Sequence, residues 1–494
     1  MTLDLGTLNP RQRDAVLHEE GPLLVLAGAG SGKTRVIIYR IARLLADGVD
    51  PEAILGMTFT NKAAREMRER MQSLVGTAAR RVELLTFHAL GLRVLKDEHK
   101  AAGLPSHFAI YDTGDQLGLV RELLRRIKTA DRRLDAWKVL EIILRTKRER
   151  RSEVALDWGD DYELAAYDLY PRYVEEMRTF GAIDFDDLIL RTQDVLEVPE
   201  IRARWSRRYA HLLVDEYQDT SPDQLALLKV LAGTERNVCV VGDDDQSIYA
   251  WRGAAAGNIL AFDAHFGGAR EVVLDQNYRS TSAILQAANA VIVNNKARKE
   301  KVLWSALGEG DPVEIIACAD GDDEAAFVTD KIGKLLYDGV RHDDIAVLYR
   351  SNAQRTIFEE TLRLEHIPYR VVGGQSFFDR KEVRDALAYL SVAHNPHDEV
   401  SLRRIINVPA RGLGPTSVER LAQHAATHGG RLWDALQQAN EVPDLPKGAV
   451  AGAAALVDIL RPAAKRLRGA RPGEAAPLAK QLFDSLGLRD TILG

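Results

Sequence analysis

Short, continuous apolar runs recur along the first half of the chain, each ending in a polar or glycine-rich turn. They are LLVLAGAG (23–30), AILGMTFT (53–60), VELLTFH (82–88), HLLVDEY (211–217), NVCVVGDDD (237–245) and EVVLDQNYR (271–279). Runs that are continuous rather than alternating predict strands covered on both faces, as in a parallel α/β sheet. Ligands of such sheets sit at the carboxyl ends of the strands, where these polar clusters fall. Between about 105 and 184 the pattern changes to a charged helical periodicity, as in QLGLVRELLRRIKTADRRLDAWKVLEIILRTKRERR. An all-helical insertion is predicted there, splitting a first α/β domain into 1–104 and 185–276. A second α/β unit is predicted over 277–375, with strands PVEIIACAD (312–320), DIAVLYRS (344–351) and PYRVVGG (368–374). From 376 to 494 the chain again reads as helical.

At 494 residues the chain exceeds what one hydrophobic core serves, so several domains are expected. The formal charge of −6 excludes a global basic coat, so any nucleic-acid site must be a local groove. The two cysteines, Cys239 and Cys318, lie in apolar runs and read as small buried hydrophobes of a reducing compartment. No apolar run approaches the ~20 residues of a membrane span. The first residues, MTLDLGTLNPRQRD, lack a signal-peptide layout, so a cytoplasmic protein is expected.

AGAGSGKT (27–34) follows an apolar strand and precedes the amphipathic RVIIYRIARLL, the context of a phosphate-binding loop. Backbone N–H groups of Ala27, Gly28, Ala29, Gly30, Ser31 and Gly32 would wrap phosphate oxygens, and the helix opened by Lys33, Thr34 and Arg35 adds its positive end. Lys33 would reach the outer phosphates and Thr34 would bind Mg²⁺. Ala27 stands where the general pattern has glycine. In HLLVDEYQDT (211–220), Asp215 is placed to hold Mg²⁺ and Glu216 to orient or deprotonate an attacking water. Alone, such an acidic pair reads as a solvated turn; beside a phosphate loop it reads as a site. VVGDDDQSIYAWRG (240–253) then places carboxylates and the Gln246 amide next to Tyr249, Trp251 and Arg252.

With these three motifs the chain resembles, nearly end to end, superfamily 1 DNA helicases of the UvrD/PcrA/Rep family. The resemblance implies P-loop NTPase motor domains of RecA-like fold carrying helical insertions, with ATP and Mg²⁺ as cofactors. It also implies single-stranded DNA and single-strand/duplex junctions as partners, with DNA repair or replication proteins. LNPRQRDAV (8–16) resembles the family's Q motif, in which Gln12 would read the adenine edge, and alanine is accepted at the Ala27 position. MTFTNKAAREM (57–67) implies Phe59, Thr60 and Asn61 in a single-strand groove. LLTFHAL (84–90) places Thr86, Phe87 and His88 at a strand end; His88 alone reads as structural, and the resemblance adds DNA contact. DFDDLI (184–189) resembles the family's return from its first insertion.

In DQNYRST (275–281), Tyr278 would stack on adenine and Arg279 would contact the γ-phosphate; the plain alternative is a stacked cation–π pair. Gln246 is implied as the γ-phosphate sensor, with Asp243 near the metal. Tyr249 and Trp251 would face bases, and Arg252 phosphate or DNA. In LYRSNAQ (348–354), Arg350 and Asn352 would grip the DNA backbone, while Arg380 and Glu382 would order a hinge. NVPARGLG (407–414) resembles a helix-hairpin-helix-like region touching duplex phosphates.

The family carries two further motor motifs, one built on Lys-Gly-Leu-Glu and one supplying a second arginine to the γ-phosphate. Neither pattern occurs in this chain, so the second motor domain is expected to be incomplete. An intact relative is implied to be a 3′-to-5′ ATP-driven translocase and helicase. This chain is expected to bind ATP, and single-stranded DNA weakly, and to turn over poorly. Two readings compete: an ATP-responsive DNA-binding module without productive turnover, and a motor subunit of a helicase–nuclease, for which no cluster of nuclease acids appears.

Overall fold

The six continuous runs of the first half all become strands of one sheet. They are β1 (Leu23–Ala27), β2 (Ile54–Thr58), β3 (Glu83–Thr86), β6 (His211–Val214), β7 (Val238–Gly242) and β8 (Arg270–Leu274). Two shorter strands, β4 (Ala109–Tyr111) and β5 (Ala182–Asp184), pair with each other, as do β9 (Gln276–Asn277) and β10 (Trp304–Ser305). This computed structural model describes residues 3–106, 108–126, 134–155, 160–234, 237–372, 380–471 and 473–488. By contacts the chain divides into two units, Met1–Val313 and Glu314–Gly494.

The large sheet has the order β3-β2-β6-β7-β1-β8, and every neighbouring pair is parallel. Period-2 alternation persists inside the apolar runs, and it sorts their side chains into two cores. Leu24 and Leu26 of β1, Leu212 and Val214 of β6, and Val238 and Val240 of β7 enter one core. Their alternates Leu23, Val25, Ala27, Leu213, Cys239 and Val241 enter the other. Each such leucine or valine contributes roughly 1.5–3 kcal/mol on burial, which favours apolar residues on both faces of these strands.

Helices cover both faces: α1 (Pro10–Leu17), α2 (Lys33–Ala46) and α3 (Asn61–Val75) on one, with α4 (Phe87–Asp97) on the other. The stretch expected to be all helical carries α5 (Thr113–Arg126), α6 (Ala136–Arg148) and α7 (Asp161–Thr179), but its two ends form the β4–β5 ladder. Lys147 of α6 ties the insertion down through Asp184 (2.5 Å) and Asp187 (2.8 Å). Burial alone would depress the Lys147 pKa, but the two carboxylates outweigh it and raise it. The chain then returns through α8 (Asp187–Leu196) and α9 (Pro199–Arg208) to β6 of the large sheet, and α10 (Pro222–Ala232) links β6 to β7.

Residues 277–313, expected to open a second domain, belong to the first contact unit. Two of the strands predicted for that second domain differ. Residues 312–320 and 344–351 carry no ladder, and Ile315 and Leu348 are each 94% exposed. An apolar run becomes a strand only when its N–H and C=O groups find a partner backbone, and these runs find none among the described residues. The third predicted strand is described only to residue 372, again without a ladder, and 373–374 lie outside the described residues. The second unit also carries the helices Gly321–Tyr337 and Asn352–Leu364, and the helical character expected from 376 appears as an array from Lys381 onward. That array is closed around Tyr389, Leu402, Leu421, Trp433 and Leu456. No helix among the described residues is long and apolar enough to cross a membrane.

One contact sets how α4 sits on α8. A Cβ added to Gly91 would lie 2.0 Å from the carbonyl oxygen of Leu188, a backbone atom that cannot turn aside. Gly91→Ala is expected to destabilise the first unit by about 1–3 kcal/mol, read as a lowered urea midpoint by circular dichroism.

Candidate nucleotide and strand-binding site

The phosphate loop leaves β1 at Ala27 and enters α2 at Lys33. Its turn is held by Ser31, whose N–H (3.2 Å) and hydroxyl (2.7 Å) both donate to the Gly28 carbonyl. Gly30 has φ 67°, and a Cβ there would meet Asn277 Nδ2 at 2.6 Å and Arg279 Cβ at 2.8 Å. The Asn277–Arg279 segment therefore lies directly over the loop. The Tyr278 N–H donates to the Gly30 carbonyl (2.9 Å), and Asn277 Nδ2 donates to the Ala29 carbonyl (2.6 Å). The Gln12 side chain is buried, with Nε2 donating to the Ser31 carbonyl (2.9 Å) and Oε1 accepting from the Asn9 N–H (3.2 Å). One end of this amide ties α1 to the loop, and the other closes the cap of α1 itself. Tyr278 is half exposed, and its hydroxyl bonds Asn9 and Gln276, each at 2.8 Å. Arg35 points away, donating to the Thr7 carbonyl (3.0 Å).

Because β6 lies next but one to β1, its end brings the acidic pair to the loop. Lys33 Nζ lies 2.9 Å from Glu216 Oε2, and Thr34 Oγ1 donates to Asp215 Oδ2 at 3.1 Å. Burial and the neighbouring Glu216 push the Asp215 carboxyl up to about 6, while Lys33 and Thr34 pull against them. A hydroxyl and a carboxylate at this spacing are hard oxygen donors, and their position beside a phosphate loop suits Mg²⁺. Glu216 itself sits in the left-handed region, φ 51°, an uncommon conformation for a residue with a side chain.

Gln218, which sequence reasoning passed over, connects this centre to the next strand. It is 1% exposed; Nε2 donates to Glu216 Oε2 (2.9 Å) and Oε1 accepts from the Asp243 N–H (3.0 Å). Asp243 directly follows β7 and accepts through Oδ2 from Gln246 Nε2 at 2.6 Å. Its other oxygen is taken by Lys301. In this structure, then, Asp243 serves the Gln246 amide and an ammonium.

The same loop carries the aromatic residues outward. Tyr249 stacks on Phe59 with ring centroids 5.0 Å apart, and Trp251 follows at 6.2 Å with 75% of its surface exposed. His88 stacks on Phe185 at 4.0 Å, and Phe185 is 56% exposed. The DFDDLI stretch gave no sign that this one apolar residue faces out. Phe87 faces the core, while the Thr60 and Thr86 hydroxyls cap α3 and α4 at 3.0 and 3.1 Å. Asn61 is exposed at the start of α3. The Arg252 side chain lies outside the described residues. Arg350 and Asn352 belong to the second unit, where both are exposed and Asn352 begins a helix. Arg380 and Glu382 flank the start of the helix Lys381–His394 in that unit.

A phosphate loop at the end of a central parallel strand, facing an acidic pair from a nearby strand, defines a P-loop NTPase. Residues 8–267 match the UvrD/REP helicase N-terminal domain, and residues 272–443 match the UvrD-like helicase C-terminal domain. The chain belongs to the UvrD/REP helicase family. It is 42% identical over 440 residues to the "ATP-dependent DNA helicase PcrA" of Staphylococcus aureus, covering 88% of this chain and 60% of that protein. It is 44% identical over 439 residues to the protein of the same name in Bacillus subtilis, covering 88% and 59%. The chain thus spans about 60% of the length of these curated relatives.

Desolvation by burial lowers His88 from 6.5 to about 4, so it is neutral at pH 7 and offers a stacking face rather than a cation. In the unfolded chain it titrates near 6.5. The folded state therefore loses stability as pH falls from 6.5 towards 4, and this contribution levels off below 4. Urea midpoints at pH 7, 5 and 4 are expected to fall less steeply in His88→Asn than in the parent.

Proposed function

We propose that the protein is an ATP-driven motor on single-stranded DNA that moves 3′ to 5′ and unwinds duplex at junctions, in DNA repair or replication in the cytoplasm. The observation that carries this is the hydrogen-bonded path from Lys33 and Glu216 through Gln218 to Asp243 and Gln246. It ends on the loop that presents Tyr249 and Trp251.

ATP would lie with its phosphates over Gly28–Thr34 and its base by Gln12 and Tyr278. Lys33 would leave Glu216 for the outer phosphates, freeing that carboxylate to accept a proton from the attacking water. Mg²⁺, held by Thr34 and Asp215, would supply charge neutralisation at the phosphates. Arg279, beside Gly30, would add a cation to the γ-phosphate, and Gln246 would register its presence. A change at Gln246 would shift the segment that carries Tyr249 and Trp251. Phe59, Asn61, the His88–Phe185 stack and these two rings would form the strand groove of the first unit; Arg252, and in the second unit Arg350 and Asn352, would each contact the DNA backbone. Stacking on one aromatic is worth roughly 1–3 kcal/mol, close to the ~1.4 kcal/mol mean of a duplex stacking step. A base so held can be released by a small movement.

ATP hydrolysis by the full chain, with and without single-stranded DNA, tests the motor reading. Glu216→Gln is expected to lower turnover about 10²–10⁴-fold with nucleotide affinity retained. Lys33→Ala is expected to weaken ATP binding itself. Unchanged turnover in Glu216→Gln would remove it as the base. Nucleotide and DNA binding without turnover in the parent would favour a binding module instead.

Fluorescence anisotropy tests the groove. Tyr249→Ala and Trp251→Ala are each expected to weaken single-stranded DNA binding by about 1–3 kcal/mol, at fixed salt, with ATP affinity unchanged.

A further inference from the structure

The stretch KARKEKVLW (296–304) reads as a solvated charge run, yet the Lys301 side chain is 1% exposed. Its ammonium lies 2.9 Å from Asp243 Oδ1, 2.6 Å from Asp244 Oδ1 and 2.7 Å from Asp245 Oδ2. These three consecutive carboxylates, with oxygens within 4.8 Å of one another, are a donor set for a hard divalent ion. Here a lysine fills the position, one N–H to each carboxylate. Arg298 adds two bonds to Asp245, both 2.8 Å, and the Lys299 N–H donates to Asp244 Oδ2 at 2.7 Å. Burial alone would lower the Lys301 pKa, but its hydrogen bonds to Asp244 and Asp245 and the charge of Asp243 hold it above the usual lysine range. Arg298 and Lys301 likewise hold the Asp245 carboxyl below its usual range against burial.

This cluster adjoins the proposed nucleotide sensor. Asp243 has two oxygens: Oδ1 faces Lys301, and Oδ2 accepts from Gln246 Nε2 at 2.6 Å. Three residues beyond Lys301, β10 pairs with β9, and β9 leads into Tyr278 and Arg279 over the phosphate loop. We propose that Lys301 is a built-in cation that positions Gln246, locking the Asp243 carboxylate so that the amide is held ready for the γ-phosphate. The proposal rests on the reading of Gln246 given under Proposed function. It makes Lys301 a positioning residue and assigns the acidic run to an ammonium rather than to a metal.

The test uses the full chain and fluorescent forms of ADP and of a non-hydrolysable ATP analogue, so it needs no turnover. The variants are Lys301→Met, Gln246→Ala, the two combined, and a charge-balanced Lys301→Met/Asp244→Asn. The parent is expected to prefer the triphosphate by about tenfold or more. Lys301→Met should lose that preference to within about twofold of Gln246→Ala, and the combined variant should lose no more. The charge-balanced variant should recover the thermal midpoint lost in Lys301→Met without recovering the preference. Parent-like preference in Lys301→Met, its recovery together with the midpoint in the balanced variant, or additive losses in the combined one would each overturn the proposal. A parent with no preference, or a Gln246→Ala variant that keeps it, would instead remove the sensor reading, and the proposal would fall with it.

Discussion

The candidate site depends on the carboxylate of Asp243. Lys301 holds one oxygen, Gln246 the other, and Gln218 accepts from its backbone N–H. Through that N–H and the far end of Gln218 the Asp243 backbone reaches Glu216, and through Glu216 it reaches Lys33. Most of these groups are buried or nearly so, where hydrogen bonds strengthen and an unpaired polar atom is costly. The path therefore resists partial rearrangement: moving one member strands its neighbour. That property suits a part that must respond as a unit to the presence of one phosphate group.

The parallel sheet makes this path possible. β6 and β7 are neighbours in register, Leu213 beside Cys239 and Val214 beside Val240, so the residues that follow them emerge side by side. β1 lies on the other flank of β7 and delivers the phosphate loop to the same edge. One strained backbone position lies there as well. Glu216 is held at φ 51° by the bond from the Asp215 N–H to the Met57 carbonyl (2.8 Å) and by its own N–H donating to Asp215 Oδ1 (3.0 Å). Such a conformation costs of order 1–3 kcal/mol, which the well-packed strand ends on either side sustain. Exposure then rises along a single segment, from Asp243 at 1% to Trp251 at 75%. One end belongs to the core and the other to solvent.

Much of this was legible beforehand where a residue's role depends on its immediate neighbours. The phosphate loop, the Asp215–Glu216 pair and the six strands each announce themselves within about ten residues, because backbone N–H density, strand periodicity and helix starts are local properties. Gln218, Phe185 and Lys301 were not legible. Gln218 looks like any polar turn residue, Phe185 like any apolar residue in a strand-to-helix turn, and Lys301 like a surface lysine. Their partners lie 25, 97 and 57 positions away at Asp243, His88 and Asp244 respectively. The 312–320 and 344–351 runs failed in the opposite sense, since strand-like composition does not supply a pairing partner.

The sequence by itself determined the family, the chemistry of the phosphate loop and the two-faced burial of the strands, because each follows from short-range pattern. Tertiary structure alone decided which polar groups meet: that an ammonium rather than a metal occupies the Asp243–Asp245 cluster, and that one glutamine amide joins the two acidic turns. The physical reason is that a charge's effect depends on distance and burial. Both are set by strand order and by the path of the chain between strands, not by the residues adjacent in sequence.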